Sequence, residues 1–428
     1  MALKHNFERL TLPNGLRLLV IPQKKSFSVA MGIFVEAGTS YEKKEINGIS
    51  HFLEHMCFKG THKRPTPFAI ASEFEGLGAI NNAFTSRDYT GYWANVSYNK
   101  ADEIFDLMAD MYLDPLFDEK EIEKERGVII EEINMYEDKP QAKASQTLER
   151  LMYGDQPAGW DVAGTKENIK KINRQDFLNF RNLHYCGAKT VVVMAGRITP
   201  QKAKKLVADY FSKLKKGRRI PPFKVTDKQK KPALSVVFKD LDQTHFILAF
   251  KAFNQDYPWR QRYALMALDM ILGGGMSSRL FQKVREEMGA AYYVGAHSSF
   301  YKTHGYFEIF AGVNHKKTFD VLKVILEEAR KVLKEGVTEK ELKRIKNHWI
   351  GGLLISLETP LSLINFYGEQ EIIRKKIISP QEIVRRVKSL TKEDIKNIAH
   401  RVFKNEGLNL AVVGPYKESQ SFKKILSL

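Results

Sequence analysis

The stretch GISHFLEHMCFKGT, residues 48–61, places two histidines and a glutamate at a spacing that suits a helix. If residues 49–58 are helical, His51 and His55 lie one turn apart on the same face, and Glu54 stands beside the second of them. Two imidazoles on one face can hold a metal ion, and a nearby carboxylate that is not a ligand can take a proton from the attacking water. The motif therefore predicts a metal site with Glu54 as the general base.

The same residues also allow a plainer interpretation. A histidine is commonly a satisfied surface or core residue, so the motif needs support from the rest of the chain. Cys57 offers a thiolate, but it lies two residues after His55 and points to a different side of the helix. We expect Cys57 to be buried and inert, and a third ligand to come from elsewhere.

A third ligand is predicted on the segment FDEKEIEKERGVIIEEINMYEDKP, residues 117–140. At about 100° per residue, its apolar side chains fall within one broad arc, the predicted buried face: Ile122, Val128, Ile129, Ile133, Met135 and Tyr136. Glu125 and Glu132 lie near the centre of that arc. A buried carboxylate needs a cation, hydrogen-bond donors or a metal, so either glutamate alone could belong to a structural ion pair. Beside the histidine pair, two His and one Glu leave a fourth position open for water, as in catalytic zinc sites.

The inverted order H-x-x-E-H is the signature of the inverzincins. With the second glutamate of ERGVIIEEINMYED (125–138) 77 residues after His55, the chain closely resembles the pitrilysin family, and within it the half-sized subunits related to mitochondrial and bacterial processing peptidases. The resemblance implies one zinc ion per chain, with His51, His55 and Glu132 as ligands and Glu54 as the base. It implies that Glu125 supports the site without being a primary ligand.

Composition indicates a globular protein of more than one domain. The chain has 428 residues, of which 43% are hydrophobic and 28% charged, and it exceeds the size of one ordinary core. Two cysteines, Cys57 and Cys186, argue against a disulfide scaffold. No apolar run approaches 18 residues and no secretory h-region is visible at the start, so we expect a cytoplasmic protein without a membrane segment.

A net charge of +18 requires that nucleic acid be considered as a partner. Basic residues crowd SKLKKGRR (212–219) and DKQKK (227–231), on either side of Pro221 and Pro222. No helix-turn-helix, RNP or zinc-finger pattern accompanies them, and a charge run beside a proline-bearing linker is usually solvated. We expect no nucleic-acid partner.

The chain is a tandem duplication. The segments INRQDFLNFRNLHYCGAKTVVVMAG (172–196) and LTKEDIKNIAHRVFKNEGLNLAVVG (390–414) share a cap, a helix and an apolar strand at an offset of 218. DEKEI (118–122) and TEKEL (338–342) repeat at an offset of 220. At these offsets the three ligands fall opposite Asp269, Gly273 and Gly352. The second copy is therefore predicted to keep the scaffold and to lack the metal site.

Each half alternates apolar strands with long amphipathic helices, which predicts an α+β fold of two homologous layered domains, with helices packed on a mainly antiparallel sheet. The predicted boundaries are a catalytic domain at 1–216, a linker at 217–225 and a second domain at 226–428. Thr66 and Pro67 fit the N-cap and first position of a helix that reaches Gly76.

The segment GAINNAFTSRDYTGYWANV (78–96) ends as a strand. The resemblance implies that Asn82 and Ala83 lie on an edge strand that pairs with the substrate backbone, which is β-augmentation. Gly78-Ala79 departs from the family's paired glycine and puts the local backbone in question. Without the resemblance, Asn82 could equally be a turn residue.

The run GGGMSSRLFQKVREEMGAAYYV (273–294) begins with glycines, but no G-K-[ST] follows, which argues against a phosphate loop. It resembles the family's segment in which an Arg and a Tyr seven residues apart contact substrate and help to hold the reacting carbonyl. Arg285 and Tyr292 match that spacing. Taken alone, the pair would read as a surface Arg and a core Tyr.

The sequence thus predicts a zinc endopeptidase that hydrolyses unfolded or short polypeptides in an enclosed chamber. The resemblance implies that half-sized subunits pair, either as a homodimer or as a heterodimer with a homologous subunit. One alternative is a catalytically silent structural or binding subunit of a larger complex that resembles a processing peptidase, and another is a non-peptidase metal hydrolase. Cobalt or manganese could occupy the same ligands.

Overall fold

The computed structural model describes residues 6–428. Within these residues, two sheets and fifteen α-helices form two compact units. The elements up to the linker are β1 (Glu8–Thr11), β2 (Arg17–Pro22), β3 (Ser28–Val35), α1 (Ile49–Met56), α2 (Pro67–Gly76), β4 (Ile80–Thr85), β5 (Thr90–Ser97), α3 (Ala101–Leu113), α4 (Glu119–Asp138), α5 (Pro140–Tyr153), α6 (Lys166–Lys171), α7 (Arg174–His184), β6 (Thr190–Gly196) and α8 (Pro200–Phe211).

The remaining elements repeat much of this order. They are β7 (Ala233–Phe238), β8 (Gln243–Lys251), α9 (Trp259–Gly273), β9 (Ala291–Phe300), β10 (Gly305–Asn314), α10 (Thr318–Glu335), α11 (Glu339–Ser356), α12 (Pro360–Arg374), α13 (Pro380–Ser389), α14 (Lys392–Val402), β11 (Leu408–Gly414) and α15 (Gln420–Ile425). A π-helical turn, Phe281–Glu287, precedes β9.

Both sheets are mainly antiparallel, as predicted. The first has the order β1-β2-β6-β3-β5-β4, and the second has the order β7-β11-β8-β10-β9. Each contains a single parallel pair, β2 with β6 and β7 with β11. In each sheet one face is buried under helices in an apolar core that holds most of the unit's aliphatic side chains. The fold class, two homologous α+β domains, is confirmed.

The sequence halves and the compact units differ in two segments. Of the described residues, the first unit comprises 6–133, 161–223 and 353–381, and the second comprises 134–160, 224–352 and 382–428. Helix α5 belongs to the second unit because its apolar face packs on β8 and β11. Helix α12 belongs to the first unit, where it packs on β3 and β6. The predicted boundaries at 216 and 226 follow the sequence repeat and miss this exchange of helices.

A buried ion pair fixes α12 to the first sheet. Arg17, on β2, donates to the carboxylate of Glu371 (3.0 Å) and to its backbone carbonyl (2.9 Å). The side chain of Glu371 is fully buried, so removing the arginine would leave a desolvated carboxylate that only the partly exposed Arg9 still contacts.

The repeated segments fold alike. Helices α7 and α14 both begin at capping boxes, formed by Asn173 with Asp176 and by Thr391 with Asp394. Helix α2 spans Pro67–Gly76 and is capped by Thr66, as predicted. Each local signal therefore gave the expected element, because a cap acts within one turn of the helix that it begins.

The pairing of His51 with Asp269 across the repeat is wrong. In the first sheet, Thr190 of β6 pairs with Val35 of β3, Val35 pairs with Thr90 of β5, and Thr90 pairs with Thr85 of β4. In the second sheet, Leu408, which corresponds to Thr190 in the repeat, pairs with Phe250. Phe250 pairs with Phe307, and Phe307 pairs with Ser298. Thr85 and Ser298 are thus equivalent, and they hydrogen-bond Glu54 and Asp269 respectively. Asp269 is the counterpart of Glu54.

The residues of the second unit that correspond to the two histidines are therefore also different from those predicted. On α1, His51 lies three residues before Glu54 and His55 directly follows it. At the same positions relative to Asp269, α9 carries Met266 and Met270. The offset is 215 here and 218 at β6, because the loops between the repeated elements differ in length. The prediction that the second half lacks the histidine pair still stands.

The residues predicted as a linker, 217–225, contain no helix or strand. Across residues 6–428, no single helix is both long and apolar enough to cross a membrane, and only α11 and α12, counted together across the bend between them, reach that length and hydropathy.

We expect the second unit to lose stability in acid through Glu341. Its carboxylate accepts hydrogen bonds from Arg279 (2.6 and 2.9 Å) and from the backbone N–H and hydroxyl of Thr338 (both 2.8 Å). Burial alone would raise the pKa of Glu341, but these donors outweigh burial and lower the pKa from 4.5 to about 2. Because the folded-state pKa is depressed, the contribution is present above pH 4.5 and is lost as the pH falls towards 2.

Glu341→Gln should therefore lower the free energy of unfolding by about 2 kcal/mol at pH 7, and the difference should shrink as the pH falls to 2. Denaturant unfolding across this pH range measures both quantities. Glu339→Gln is the matched control, since this side chain in the same helical turn is largely exposed. An equal loss at pH 2 and pH 7 would contradict the assignment.

Candidate active site and metal centre

Helix α1 is held at its first turn by a buried carboxylate. Glu42 accepts hydrogen bonds from the backbone N–H groups of Gly48 and Ser50 (both 2.9 Å) and from the side chain of Asn47 (2.8 Å). Gly48 has φ +100°, and a Cβ there would stand 2.7 Å from the carbonyl oxygen of Ala163. The start of α1 is thereby fixed just before the two histidines.

His51 and His55 face Glu132 of α4 as predicted. Their Nε2 atoms are 3.2 Å apart, and Glu132 Oε2 lies 3.6 Å from the first and 3.7 Å from the second. Two ligands of a tetrahedral zinc ion, each about 2.0–2.2 Å from the metal, lie about 3.3–3.6 Å from one another. The donor set therefore fits zinc, and no other group of three metal-ligating side chains occurs in the part of the chain that the structure describes.

Another glutamate of α4, Glu125, contacts one of the two predicted histidine ligands. Glu125 is buried, and its Oε1 lies 2.7 Å from His55 Nδ1, while its Oε2 lies 2.6 Å from Lys59 Nζ. Burial would raise the pKa of Glu125, but His55 and Lys59 outweigh burial and lower it. A carboxylate on the outer nitrogen of a metal-binding histidine fixes the ring so that Nε2 faces the ion. Glu125 thus contacts a predicted ligand without joining the three donor atoms.

The two histidines differ in their affinity for protons. Burial, followed by the neighbouring His55, lowers the pKa of His51 to about 3. Burial also opposes protonation of His55, but the hydrogen bond that its Nδ1–H donates to Glu125 and the nearby carboxylates outweigh burial and raise its pKa. His51 is consequently a neutral imidazole across the ordinary pH range, which is the form that binds a metal.

Glu54 stands apart from the three donor atoms. Its side chain is buried, and its Oε2 accepts a hydrogen bond from the hydroxyl of Thr85 at 2.6 Å. Burial raises the pKa of Glu54, and Thr85 offsets part of that effect. A desolvated carboxylate with a raised pKa is a better proton acceptor than an exposed one.

Helix α4 departs from the predicted buried face. Ile122, Glu125, Ile129 and Ile133 are buried, but the other apolar members of the arc are well exposed: Val128 (51%), Met135 (42%) and Tyr136 (37%). The buried stripe is narrower than the predicted arc because the helix contacts the core along one line only. Glu132 lies at the border of that stripe and is partly accessible, which suits its predicted role in a site whose fourth position is open to water.

Asn82 and Ala83 lie on β4, the last strand of the first sheet, and Asn82 is not a turn residue. The side-chain oxygen of Asn82 accepts a hydrogen bond from the N–H of Ala83 at 2.8 Å, so this N–H is not used in the pairing with β5. The outer edge of β4 thus carries backbone groups on which an extended chain could pair.

Arg285 and Tyr292 lie in the second unit. Arg285 is in the π-helical turn, with its guanidinium carbon 5.0 Å from the ring centre of Phe281, and Tyr292 is on the edge strand β9 with 75% of its surface exposed. Tyr292 is therefore not the core residue that the segment alone would have suggested.

Two contacts were not predicted, namely the hydrogen bond of Thr85 to Glu54 and the ion pair of Lys59 with Glu125. Both partners are distant along the chain, and no local pattern marks them. Cys57 is buried, as predicted, and burial raises the pKa of its thiol to about 12, so it offers no thiolate ligand.

The comparisons with known proteins agree with this geometry. Residues 18–166 match the family described as "Insulinase (Peptidase family M16)", and residues 171–348 match "Peptidase M16 inactive domain". The "uncharacterized zinc protease YmxG" of Bacillus subtilis is 34% identical over 412 residues, which cover 95% of this chain and 98% of that protein. A zinc protease of Rickettsia felis is 34% identical over 416 residues, covering 96% and 98%.

Solved structures share the fold. A protease from Helicobacter pylori superposes with a TM-score of 0.91 at 24% identity, covering 96% of this chain and 99% of that one. A Pseudomonas fluorescens structure described as a peptidase M16 inactive domain gives a TM-score of 0.88 at 21% identity, covering 96% and 98%. Homologues that are named zinc proteases match this chain over nearly their whole length. The chain therefore belongs to peptidase family M16, the pitrilysin family.

Proposed function

We propose that the protein is a zinc-dependent endopeptidase that cleaves unfolded or short polypeptides, with Glu54 as the general base. One observation carries the proposal: three donor atoms 3.2–3.7 Å apart suit one zinc ion, and a buried carboxylate beside them is left out of the donor set. A purely structural zinc site would use four protein ligands and would need no such carboxylate.

His51, His55 and Glu132 would hold the ion, one per chain, and Glu125 would keep the ring of His55 in place. When bound, zinc supplies Lewis-acid chemistry, which makes a water more acidic and a peptide carbonyl more electrophilic. Glu54 removes a proton from the water as its oxygen bonds to the carbonyl carbon. The same carboxyl group then delivers that proton to the amide nitrogen as the C–N bond breaks.

The substrate would bind as an added strand on β4. An extended peptide can take backbone hydrogen bonds at Ala83 once the side chain of Asn82 turns away from that N–H. Such pairing reads the backbone of a chain and requires it to be extended, which favours unfolded or short polypeptides over folded domains.

Arg285 and Tyr292 are proposed to assist from the second unit, as donors to the reacting carbonyl. We further propose that two subunits pair to enclose the substrate in a chamber. Because one chain carries both the metal ligands and the Arg/Tyr pair, a homodimer is sufficient, and a heterodimer with a homologous subunit is the second arrangement.

The test is cleavage of a quenched, unstructured peptide library by the purified full-length chain, with and without a zinc chelator. We expect cleavage that the chelator abolishes and that added zinc restores. Zinc bound at one per chain without any cleavage, by the chain alone or with a homologous subunit, would favour the alternative of a catalytically silent subunit.

Tyr292→Phe should lower kcat about 100-fold, the scale for losing one donor to a developing oxyanion. KM and zinc content should stay close to wild type, because the side chain is exposed and belongs to a different unit from the ligands. Steady-state kinetics and metal analysis check this. Tyr293→Phe is the neighbouring control, and a loss of zinc in Tyr292→Phe would contradict the assignment.

A further inference from the structure

The proposed base is tied to the edge strand through one hydroxyl. Thr85, the last residue of β4, donates its only side-chain proton to Glu54 Oε2 at 2.6 Å. Its own oxygen lies 3.4 Å from the hydroxyl of Thr90, which donates to the carbonyl of Ala37 at 2.9 Å. Backbone pairing of Thr85 with Thr90 on β5 fixes the position of Thr85, and its hydroxyl donates to one oxygen of the carboxylate.

This contact gives the two carboxylate oxygens of Glu54 different surroundings. Oε2 is occupied by Thr85, and no described side chain donates to Oε1. A carboxylate that is hydrogen-bonded through one oxygen cannot rotate freely, so the other oxygen keeps a fixed direction. That second oxygen is the one available to a water molecule.

The second unit contains the same contact without the metal ligands. Asp269 Oδ1 accepts a hydrogen bond from Ser298 at 2.6 Å, and both residues are buried. By strand register Ser298 is equivalent to Thr85, while Met266 and Met270 stand where the first unit has histidines. The fold therefore places a hydroxyl of the edge strand against a carboxylate of the adjacent helix in both units, and in the first unit that carboxylate is beside a metal site.

Strand β4 also carries the proposed substrate-binding residues. Asn82 and Ala83 lie three and two positions before Thr85 on the same edge strand. A shift of this strand when a peptide pairs with it would move the hydroxyl of Thr85, and with it the direction of Glu54.

We propose that Thr85 is the positioning residue for the general base, fixing Glu54 through Oε2 and linking its placement to the strand that binds the peptide. The proposal rests on the proposed function of Glu54. A merely structural contact would act differently, because its loss would loosen α1 from β4 and would lower thermal stability and zinc binding together.

The experiment compares three variants of the full-length, zinc-loaded protein. Thr85→Val keeps the shape and removes the hydroxyl, Thr85→Ser keeps the hydroxyl, and Ser298→Ala removes the equivalent contact in the second unit. We expect kcat of Thr85→Val to fall about 10- to 100-fold, the usual range for residues that orient an active-site group, with KM, zinc content and melting temperature close to those of Thr85→Ser. Thr85→Ser should recover most of kcat, and Ser298→Ala should leave kcat unchanged.

Two further measurements separate this proposal from the proposed function. In a Glu54→Gln background, Thr85→Val should cause little additional loss of the residual activity, because both changes act through one group. A crystal structure of Thr85→Val should show the Glu54 carboxylate rotated from its wild-type position. An unmoved carboxylate, or an unchanged kcat, would overturn the role of Thr85. An inactive wild-type protein would instead overturn the proposed function, and the crystal structure would still decide whether Thr85 orients Glu54.

Discussion

Glu54→Gln is expected to reduce kcat by about 10²- to 10⁴-fold while the protein keeps its full zinc content. The amide cannot accept a proton near neutral pH, so the attacking water loses its base. The oxygen of the amide can still accept the hydrogen bond from Thr85, and the side chain is not one of the three donor atoms. Peptide cleavage assays and metal analysis on the same preparation measure both quantities.

Asp269→Asn is the matched control for this variant. Asp269 is the buried counterpart of Glu54 in the second unit, bonded to Ser298, and burial raises its pKa to about 7. We expect this variant to keep the wild-type kcat, because no metal ligands surround the side chain. Wild-type kcat in Glu54→Gln would remove Glu54 as the base, and loss of zinc in that variant would mean that the side chain is itself a ligand.

Glu132→Ala is expected to weaken zinc binding by more than about 100-fold and to abolish activity to the same extent as Glu54→Gln. Removing a carboxylate oxygen leaves only the two histidine nitrogens, which is too few for a stable zinc site. Glu125→Gln removes a group that orients His55 and should weaken zinc binding by about 10- to 100-fold only. The loss of zinc affinity should therefore be clearly larger for Glu132→Ala than for Glu125→Gln.

Competition with a chromophoric chelator measures these affinities, and Glu131→Ala, the exposed neighbour on the same helix, is the control. The melting temperature of each metal-free protein should match that of the metal-free wild type, since the site lies at the edge of the core. Wild-type zinc affinity in Glu132→Ala would show that α4 supplies a different ligand. Equal losses at Glu125 and Glu132 would contradict the division into ligand and support.

Several features of the site could be predicted because they depend on spacing along one helix. The rise and turn of an α-helix bring His51 and His55 together whatever else the chain does, and the same geometry places Glu125 and Glu132 on one side of α4. Helix caps such as Thr66 also act within one turn. The repeated helix and strand segments revealed the duplication for the same reason, since each is a local pattern.

Other features depended on contacts between distant segments. The exposure of Val128, Met135 and Tyr136 follows from how narrow a strip of α4 meets the core, which helical periodicity cannot give. The equivalence of Glu54 with Asp269 required the strand registers, because loop lengths shift the offset between the two halves. The exchange of α5 and α12 between the units arises from packing of their apolar faces on sheets formed by other parts of the chain.

The sequence was enough to predict the candidate metal-ligating residues, the helices that carry them and the duplicated α+β architecture, and it carries the resemblance to a peptidase family. Only the tertiary structure shows that Thr85 contacts Glu54 and that Lys59 pairs with Glu125. It also groups Glu132, rather than Glu125, with the two histidines, as the family resemblance implied. The two groups of features differ in the separation along the chain over which their contacts act. Helical spacing is fixed by the local backbone, whereas a hydrogen bond between a strand and a helix 31 residues apart in sequence exists only after the whole unit has packed.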